Sequence, residues 1–225
     1  MHENERMGSI MSLRYGILGL LSKWDASGYD IKKEFDDFMS IFWHSHLSQI
    51  YPELSKLEKD QLVDSKLVPQ DGKPDKKVYS ITGKGTDELA QWLQSQPETP
   101  KIKDAFLMQA FFMDNIPADE VIFQLRFYQK ERQQRLDKMQ RTIEETWKGI
   151  KERNVMSPRI LMSAAVLKRG IEQEMDYIKW CEETIQLVES CKYLWDSKAS
   201  FDGDNNRILF DEFEELLLRY FGGHL

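Results

Sequence analysis

The chain has 225 residues, 41% of them hydrophobic and 31% charged, with 12 Gly and 7 Pro. Such a composition suits one or two packed domains and excludes a disordered or fibrous chain. A net charge of −7 argues against holding a polyanion by bulk electrostatics.

Residues 1–11 read as a flexible lead-in: they are polar and acidic, with no apolar signal core behind them. No apolar run approaches the ~20 residues needed to cross a bilayer. A cytoplasmic protein without membrane contact is the expectation. Residues 12–23, SLRYGILGLLSK, read as an apolar helix capped by Ser12. Asp25-Ala-Ser-Gly28 is a turn signal. Tyr29–Met39 reads as a second helix, with Ile31, Phe35 and Phe38 on one face.

A third helix starts near Ser45, with an apolar stripe of Leu47, Ile50, Leu54, Leu57 and Leu62. Its outer side carries His46, Ser48, Gln49, Tyr51 and Lys56, where a surface helix would usually carry Glu and Lys. Neutral hydrogen-bonding groups can read base edges in a DNA major groove. Pro52 is tolerated in the first turns of such a helix. Leu62–Pro69 and Lys77–Thr82 alternate apolar and polar residues as strands do, around a turn at Gln70–Asp75. Thr82 caps a fourth helix, with Leu89, Trp92 and Leu93 on its inner side. Helix, helix, helix, hairpin is the order of a winged helix-turn-helix domain, which we assign to residues 12–96.

Gln96-Pro-Glu-Thr-Pro100 reads as the linker. Residues 97–197 read as an all-α dimerisation domain of long helices. Lys103–Met113 is a compact apolar helix, and two long helices follow, from Pro117 to about Asn154 and from Ser157 to about Trp195. The first has a stripe of Val121, Leu125, Tyr128, Arg132, Leu136, Met139, Ile143, Trp147 and Ile150. The second has Ala164, Leu167, Ile171, Met175, Ile178, Cys181, Ile185 and Val188, plus a further stripe of Tyr177, Trp180, Leu187 and Leu194. One helix pair cannot bury all of this, so a partner subunit is the economical cover. The expected interface residues are Phe111, Phe112, Ile171, Met175, Ile178, Trp180 and Ile185. Residues 198–225 form an acidic, aromatic extension with a turn at Asp202–Asn206 and a short amphipathic helix over Leu209–Phe221. The fold class is mainly α with a small β-hairpin wing.

No catalytic constellation emerges. There is no Ser-His-Asp setting, no glycine-rich phosphate loop and no paired CxxC, so neither an enzyme nor a cofactor is expected. His44 and His46 have no nearby Cys or carboxylate support for a metal. Asp202, Asp204 and Asn206 open like a calcium loop, but Arg207 stands where glycine is needed and Phe213 where the bidentate Glu belongs. A plain acidic turn is the simpler reading. Cys181 and Cys191 would lie about 15 Å apart on one helix, too far to bridge. Packed thiols are the expectation, with an inter-subunit disulfide as the alternative. Lys73, Lys76 and Lys77 form a basic cluster that is either a solvated loop or a phosphate clamp. Trp147 and Trp180, with Phe106, Phe111 and Phe112, could line a small-molecule pocket, although aromatics at helical spacing are more often core.

These segments resemble the PadR family of transcriptional regulators, in its larger subgroup. The matching residues are Leu13-Arg-Tyr-Gly-Ile-Leu-Gly-Leu-Leu21, Ser27-Gly-Tyr-Asp-Ile31, Ser48-Gln-Ile-Tyr-Pro-Glu-Leu54, Leu57-Glu58 and Val78-Tyr-Ser-Ile-Thr-Gly-Lys-Gly85. Lys103–Asp114 looks like the opening helix of that subgroup's second domain, and Asp176-Tyr-Ile-Lys-Trp-Cys181 like its Trp-bearing dimer helix. The resemblance implies a homodimer that binds double-stranded DNA at a short inverted repeat, usually represses, and is often released by a small ligand.

Residues 1–97 hold 12 Lys+Arg against 15 Asp+Glu, a balance of −3. Affinity for an operator must therefore come from two copies and local cations. Gln49 and His46 are the expected base readers. Ser48, Tyr51, Tyr29, Lys32 and Lys56 are expected on phosphates, with the wing lysines Lys73, Lys76 and Lys77 beside them. The alternative is a winged-helix protein-interaction module without specific DNA binding.

Overall fold

The computed structural model describes residues 13–37, 39, 47–70, 72–97, 103–153, 156–196 and 214–222. The chain divides into two compact units, Met1–Pro100 and Lys101–Leu225.

In the first unit, helix α1 covers residues 13–21. Helix α2 spans Gly28–Asp37 and helix α3 Leu47–Lys59. They meet over Ile17, Leu18, Ile31, Ile50, Leu54 and Leu57, all fully buried. The helical spacing of these residues puts one apolar face of each helix on a shared core. Phe38, Ser45 and His46 lie outside the described residues.

Arg14 locks this packing. Its guanidinium donates to Asp60 at 2.9 Å and Glu88 at 3.0 Å, and lies 3.6 Å from buried Glu53. One α1 side chain thus fastens the middle and the C-terminal end of α3 and the helix that follows the wing.

The end of α3 sets the wing's direction. Gln61 takes a left-handed backbone, φ 60°. The Leu62 N–H donates to the Leu57 carbonyl at 2.9 Å, and the Gln61 N–H to the Glu58 carbonyl at 3.0 Å. This paired closure is a Schellman motif, usually built around glycine. It turns the chain directly into strand β2 (Val63–Gln70), which pairs with β3 (Lys73–Ile81). The second wing strand begins earlier than the alternation predicted, so the turn is tighter. Gly72 supplies its positive φ of 68°.

Ala26–Ser27, read from sequence as part of a turn, is a short strand β1 opposite Tyr79 and Val78. The wing is therefore a three-stranded antiparallel sheet in the order β1-β3-β2, not a bare hairpin. Two residues whose partners lie some fifty positions away leave no local periodicity.

Helix α4 (Gly83–Gln94) starts as expected: the Thr82 hydroxyl accepts from the Gly85 N–H at 3.0 Å. Leu89 is buried, but Leu93 is 67% exposed, against expectation. Trp92 stacks on Tyr15 at 4.6 Å.

In the second unit, α5 covers Ala105–Ala110 and is followed by a 3-10 turn at Met113–Asn115, so the expected single helix breaks after Ala110. Helices α6 (Ala118–Arg153) and α7 (Pro158–Ser190) form a long antiparallel hairpin. Arg126 meets Glu189 at 3.2 Å, Gln129 meets Glu182 at 3.0 Å and Arg132 meets Glu174 at 3.2 Å, which fixes the register. The end of α7 comes before Trp195, with Cys191 as its cap, and α8 (Tyr193–Asp196) follows. Helix α9 covers Glu214–Tyr220.

Three expectations for the α6–α7 pair change. Glu174, 2% exposed, takes the inward position given to Met175, which is 53% exposed. Arg132 and Arg135 compensate the buried carboxylate, at 3.2 and 3.3 Å. Ile185 is buried with Val121, Leu125 and Val188, inside its own chain rather than at a subunit surface. Trp147 is 59% exposed, off the α6 seam. Both cysteines are free and buried. Among the described residues no helix is long and apolar enough to cross a membrane.

A Cβ at Gly85 would sit 2.1 Å from the Leu62 carbonyl oxygen, where α4 crosses the end of α3. Gly85→Ala is expected to cost about 2–3 kcal/mol by forcing this junction apart. Urea unfolding of the variant, with unchanged m-value, checks it.

Candidate DNA-binding surface

The outer face of α3 presents Ser48, Gln49, Tyr51, Ser55 and Lys56, all exposed. The inner face is fully committed to the core, so the helix cannot rotate to hide them. Ser55 donates its hydroxyl to the Tyr51 carbonyl at 3.1 Å, and Lys56 lies 3.4 Å from Glu53. His46 precedes the described part of this helix.

Tyr51 is positioned by a glycine. A Cβ at Gly28 would come within 2.5 Å of the Tyr51 ring. The ring therefore packs against bare backbone at the first residue of α2. Tyr29, the next residue, is 67% exposed. The start of α2 is a capping box: the Ser27 N–H and hydroxyl donate to Asp30 at 3.0 and 2.8 Å, and the Asp30 N–H donates back to the Ser27 hydroxyl at 3.3 Å. Lys32 on the next turn pairs with Asp36.

Strand alternation separates the wing lysines. Lys66 and Lys76 lie on one face of the β2–β3 ribbon, since Lys66 faces Val78 and Val68 faces Lys76. Lys77 lies on the other face. Lys76 pairs with Asp30 at 2.8 Å and Lys66 with Asp25 at 3.4 Å. Lys77 pairs with Glu58 at 2.8 Å and lies 5.1 Å from the Tyr79 ring centroid. Lys73 opens β3 opposite Gln70. Lys66 was missed from sequence; its place two residues before Val68 on an alternating strand was the signal.

The pairs shift the acids. Burial pushes the Asp30 carboxyl up, but bonds from Lys76 and Ser27 outweigh it and hold it below its usual range. Bonds from Lys77, then Ser65, lower Glu58, while Glu58 raises Lys77. Depressed carboxylates stabilise the fold above their unfolded values and stop doing so as pH falls through the lowered ones, on the acid side of the ordinary carboxylate range. At neutral pH each pair is intact, exposed and weak, so phosphate can compete for the lysine.

The aromatic surface of the second unit divides. Phe111 and Phe112 are 78% and 57% exposed, edge to face at 5.1 Å. Ile171 and Ile178 are half-buried. Trp180 packs edge-on to Phe106 at 6.2 Å, and Phe106 stacks on Tyr128 at 3.7 Å. Arg132 lies over the Tyr128 and Tyr177 rings, 4.6 and 4.1 Å from their centroids. Tyr177 donates to Asp104, which also caps α5 by accepting from Phe106 and Leu107. Burial, then Asp104, pushes the Tyr177 phenol up to about 12. An open cleft of about 430 Å³ lies against Lys103, Asp104, Phe106, Gln109, Tyr128 and Arg132. Trp147 is not part of it. Gln129 bonds the turn of Trp180, and Trp147 lies 18 residues farther along α6, about 27 Å of helix. Among the described residues no group of His, Cys, Asp and Glu could hold a metal.

Residues 17–91 match the profile of the Transcriptional regulator PadR-like family, and residues 102–189 match Virulence activator alpha C-term. The Negative transcriptional regulator PadR of Bacillus subtilis (strain 168) is 33% identical over 178 residues, covering 79% of this chain and 97% of the relative. The chain belongs to the PadR-like family of transcriptional regulators. Crystallised B. subtilis PadR in complex with operator DNA matches with a TM-score of 0.69 at 31% identity, over 79% of this chain and 99% of that one. The same PadR in complex with p-coumaric acid matches with a TM-score of 0.62 at 28% identity, over 80% and 97%. The Vibrio cholerae virulence activator AphA matches with a TM-score of 0.63 at 25% identity, over 80% and 99%.

Glu58, in the last turn of α3, holds a carboxylate against Lys77. Glu58→Gln is expected to strengthen DNA binding at low salt by about threefold to tenfold, because it frees the lysine and removes a repelling charge. Fluorescence anisotropy with a labelled duplex of the chain's own upstream region measures it.

Proposed function

We propose that this regulator is a homodimeric repressor that binds an inverted-repeat operator and is released by a small aromatic effector. The observation that carries the reading is the exposed, uncharged face of α3 around Gln49, braced by the Tyr51–Gly28 contact beside a lysine-bearing wing. Gln49 and His46 read base edges. Ser48, Tyr51, Tyr29, Lys32 and Lys56 hold phosphates, and Lys76 with Lys66 grips the backbone from one wing face. Lys73 at the tip and Lys77 on the opposite face add positive potential. The operator complex of the B. subtilis relative supports this assignment.

Two copies are required because the first unit carries more acid than base. Of the expected interface residues, Phe111, Phe112 and Met175 are exposed and available for subunit contact, and Ile171 and Ile178 are half-buried. The protein acts where the DNA is, in the cytoplasm. Repression is supported by the relative's description as a negative regulator.

For the effector, the cleft at Phe106, Tyr128 and Arg132 offers stacked rings beside a guanidinium, which suits an aromatic acid. The p-coumaric acid complex of the relative supports that class. Trp180 braces the Phe106 wall. An effector releases DNA only if it binds one spacing of the two reading heads better than the other.

A second reading is a protein-interaction module, favoured by the ion pairs that occupy Lys66, Lys76 and Lys77. Salt decides between the two, because DNA affinity falls steeply with ionic strength.

Gln49→Ala is expected to weaken operator binding by about tenfold to a hundredfold and to relax base preference at one position. Lys76→Ala should weaken all sequences alike and reduce the salt slope by about one. If the double variant bound the operator like the parent chain in anisotropy titrations, the reading head would lie elsewhere.

A further inference from the structure

Helix α7 has two apolar faces, and α6 covers only one of them. The other carries Tyr177, Trp180, Thr184 and Leu187, all half-buried in this structure. Sequence reasoning assigned that stripe to a partner subunit. Here it is partly covered from within the chain. Helix α5 takes the upper part, through Asp104 on Tyr177 and Phe106 on Trp180. The Tyr220 hydroxyl reaches the Thr184 hydroxyl at 3.0 Å, and Thr184 also donates to the Trp180 carbonyl at 2.7 Å. On α9, Leu216, Leu217 and Tyr220 are half-buried, while Glu214, Glu215, Leu218, Arg219 and Phe221 are exposed. One face of α9 is therefore turned to the protein, at the spacing of a single helical stripe. The matched C-terminal domain ends at residue 189, before α9 begins.

We propose that α9 is a built-in strap that closes the second face of α7 against further copies of this chain. The strap takes the place a helix of another molecule would take over Trp180, Thr184 and Leu187. Its outer side is mixed, with Glu214, Glu215 and Arg219 beside the exposed Leu218 and Phe221. Self-association through that face is thereby blocked, while surfaces such as the one at Phe111 and Phe112 stay open. This assignment does not depend on the DNA-binding reading.

The test compares the full chain with a chain ending at Asp196, and with full-length Leu217→Asp/Tyr220→Ala in case truncation impairs folding. Hydrogen exchange over residues 177–188 should be at least about threefold faster in both altered proteins. Light scattering after size exclusion should show them forming larger, concentration-dependent assemblies, while the parent chain keeps one size. A synthetic peptide of residues 207–225 added to the truncated chain should restore both properties. Unchanged exchange would show that α9 does not seat, and unchanged assembly size would show that it guards nothing. Protection that disappears from the parent chain on dilution would mean that the strap is exchanged between copies. Any of these three results overturns the proposal.

Discussion

Arg14 lies where α1 meets both α3 and α4. Its three acidic partners, Glu53, Asp60 and Glu88, come from α3, from the turn that ends it and from α4. Glu53 is buried on a helix whose remaining inner positions are Ile50, Leu54 and Leu57. A buried carboxylate without a cation would be strongly destabilising; Arg14 at 3.6 Å and Lys56 at 3.4 Å both compensate it. With Asp60 and Glu88 on the same guanidinium, α3 is fixed against α1 and α4, and the orientation of its outer face with it.

The second constraint is charge. An acidic unit that faces a polyanion must keep its carboxylates from repelling it. Here Asp25, Asp30 and Glu58 are each engaged by a lysine of the wing. The same pairs that lower the positive potential of the free protein also mask its acids. Binding then becomes an exchange of weak partners rather than the docking of a bare basic patch, which explains how a chain of net charge −7 can belong to a family that includes a DNA-bound relative.

Much of this was legible from residue order. The apolar spacing of Ile50, Leu54 and Leu57, the Thr82 cap and the paired long helices all express local rules, and each appears where those rules put it. Other features depend on distant partners. Strand β1 exists because Tyr79 and Val78 arrive beside it. Glu174 faces inward because Arg132 and Arg135 meet it there; an apolar template prefers the neighbouring Met175. Leu93 is exposed because α4 buries only a narrow stripe at Gly85 and Leu89. The candidate site divides in the same way. The polar face of α3 can be read directly, whereas the opposite orientation of Lys76 and Lys77 needs the strand register, and the masking acids need the fold.

Asp30 holds two posts at once: it completes the capping box that starts α2, and it anchors Lys76 of the wing. If phosphate draws Lys76 away, the carboxylate keeps only its bonds to Ser27, and they tighten around the remaining charge. The first turn of α2, which carries Gly28 beneath Tyr51, is then more firmly set at the moment of contact. The wing and the turn that carries the Tyr51 ring are therefore coupled through one side chain.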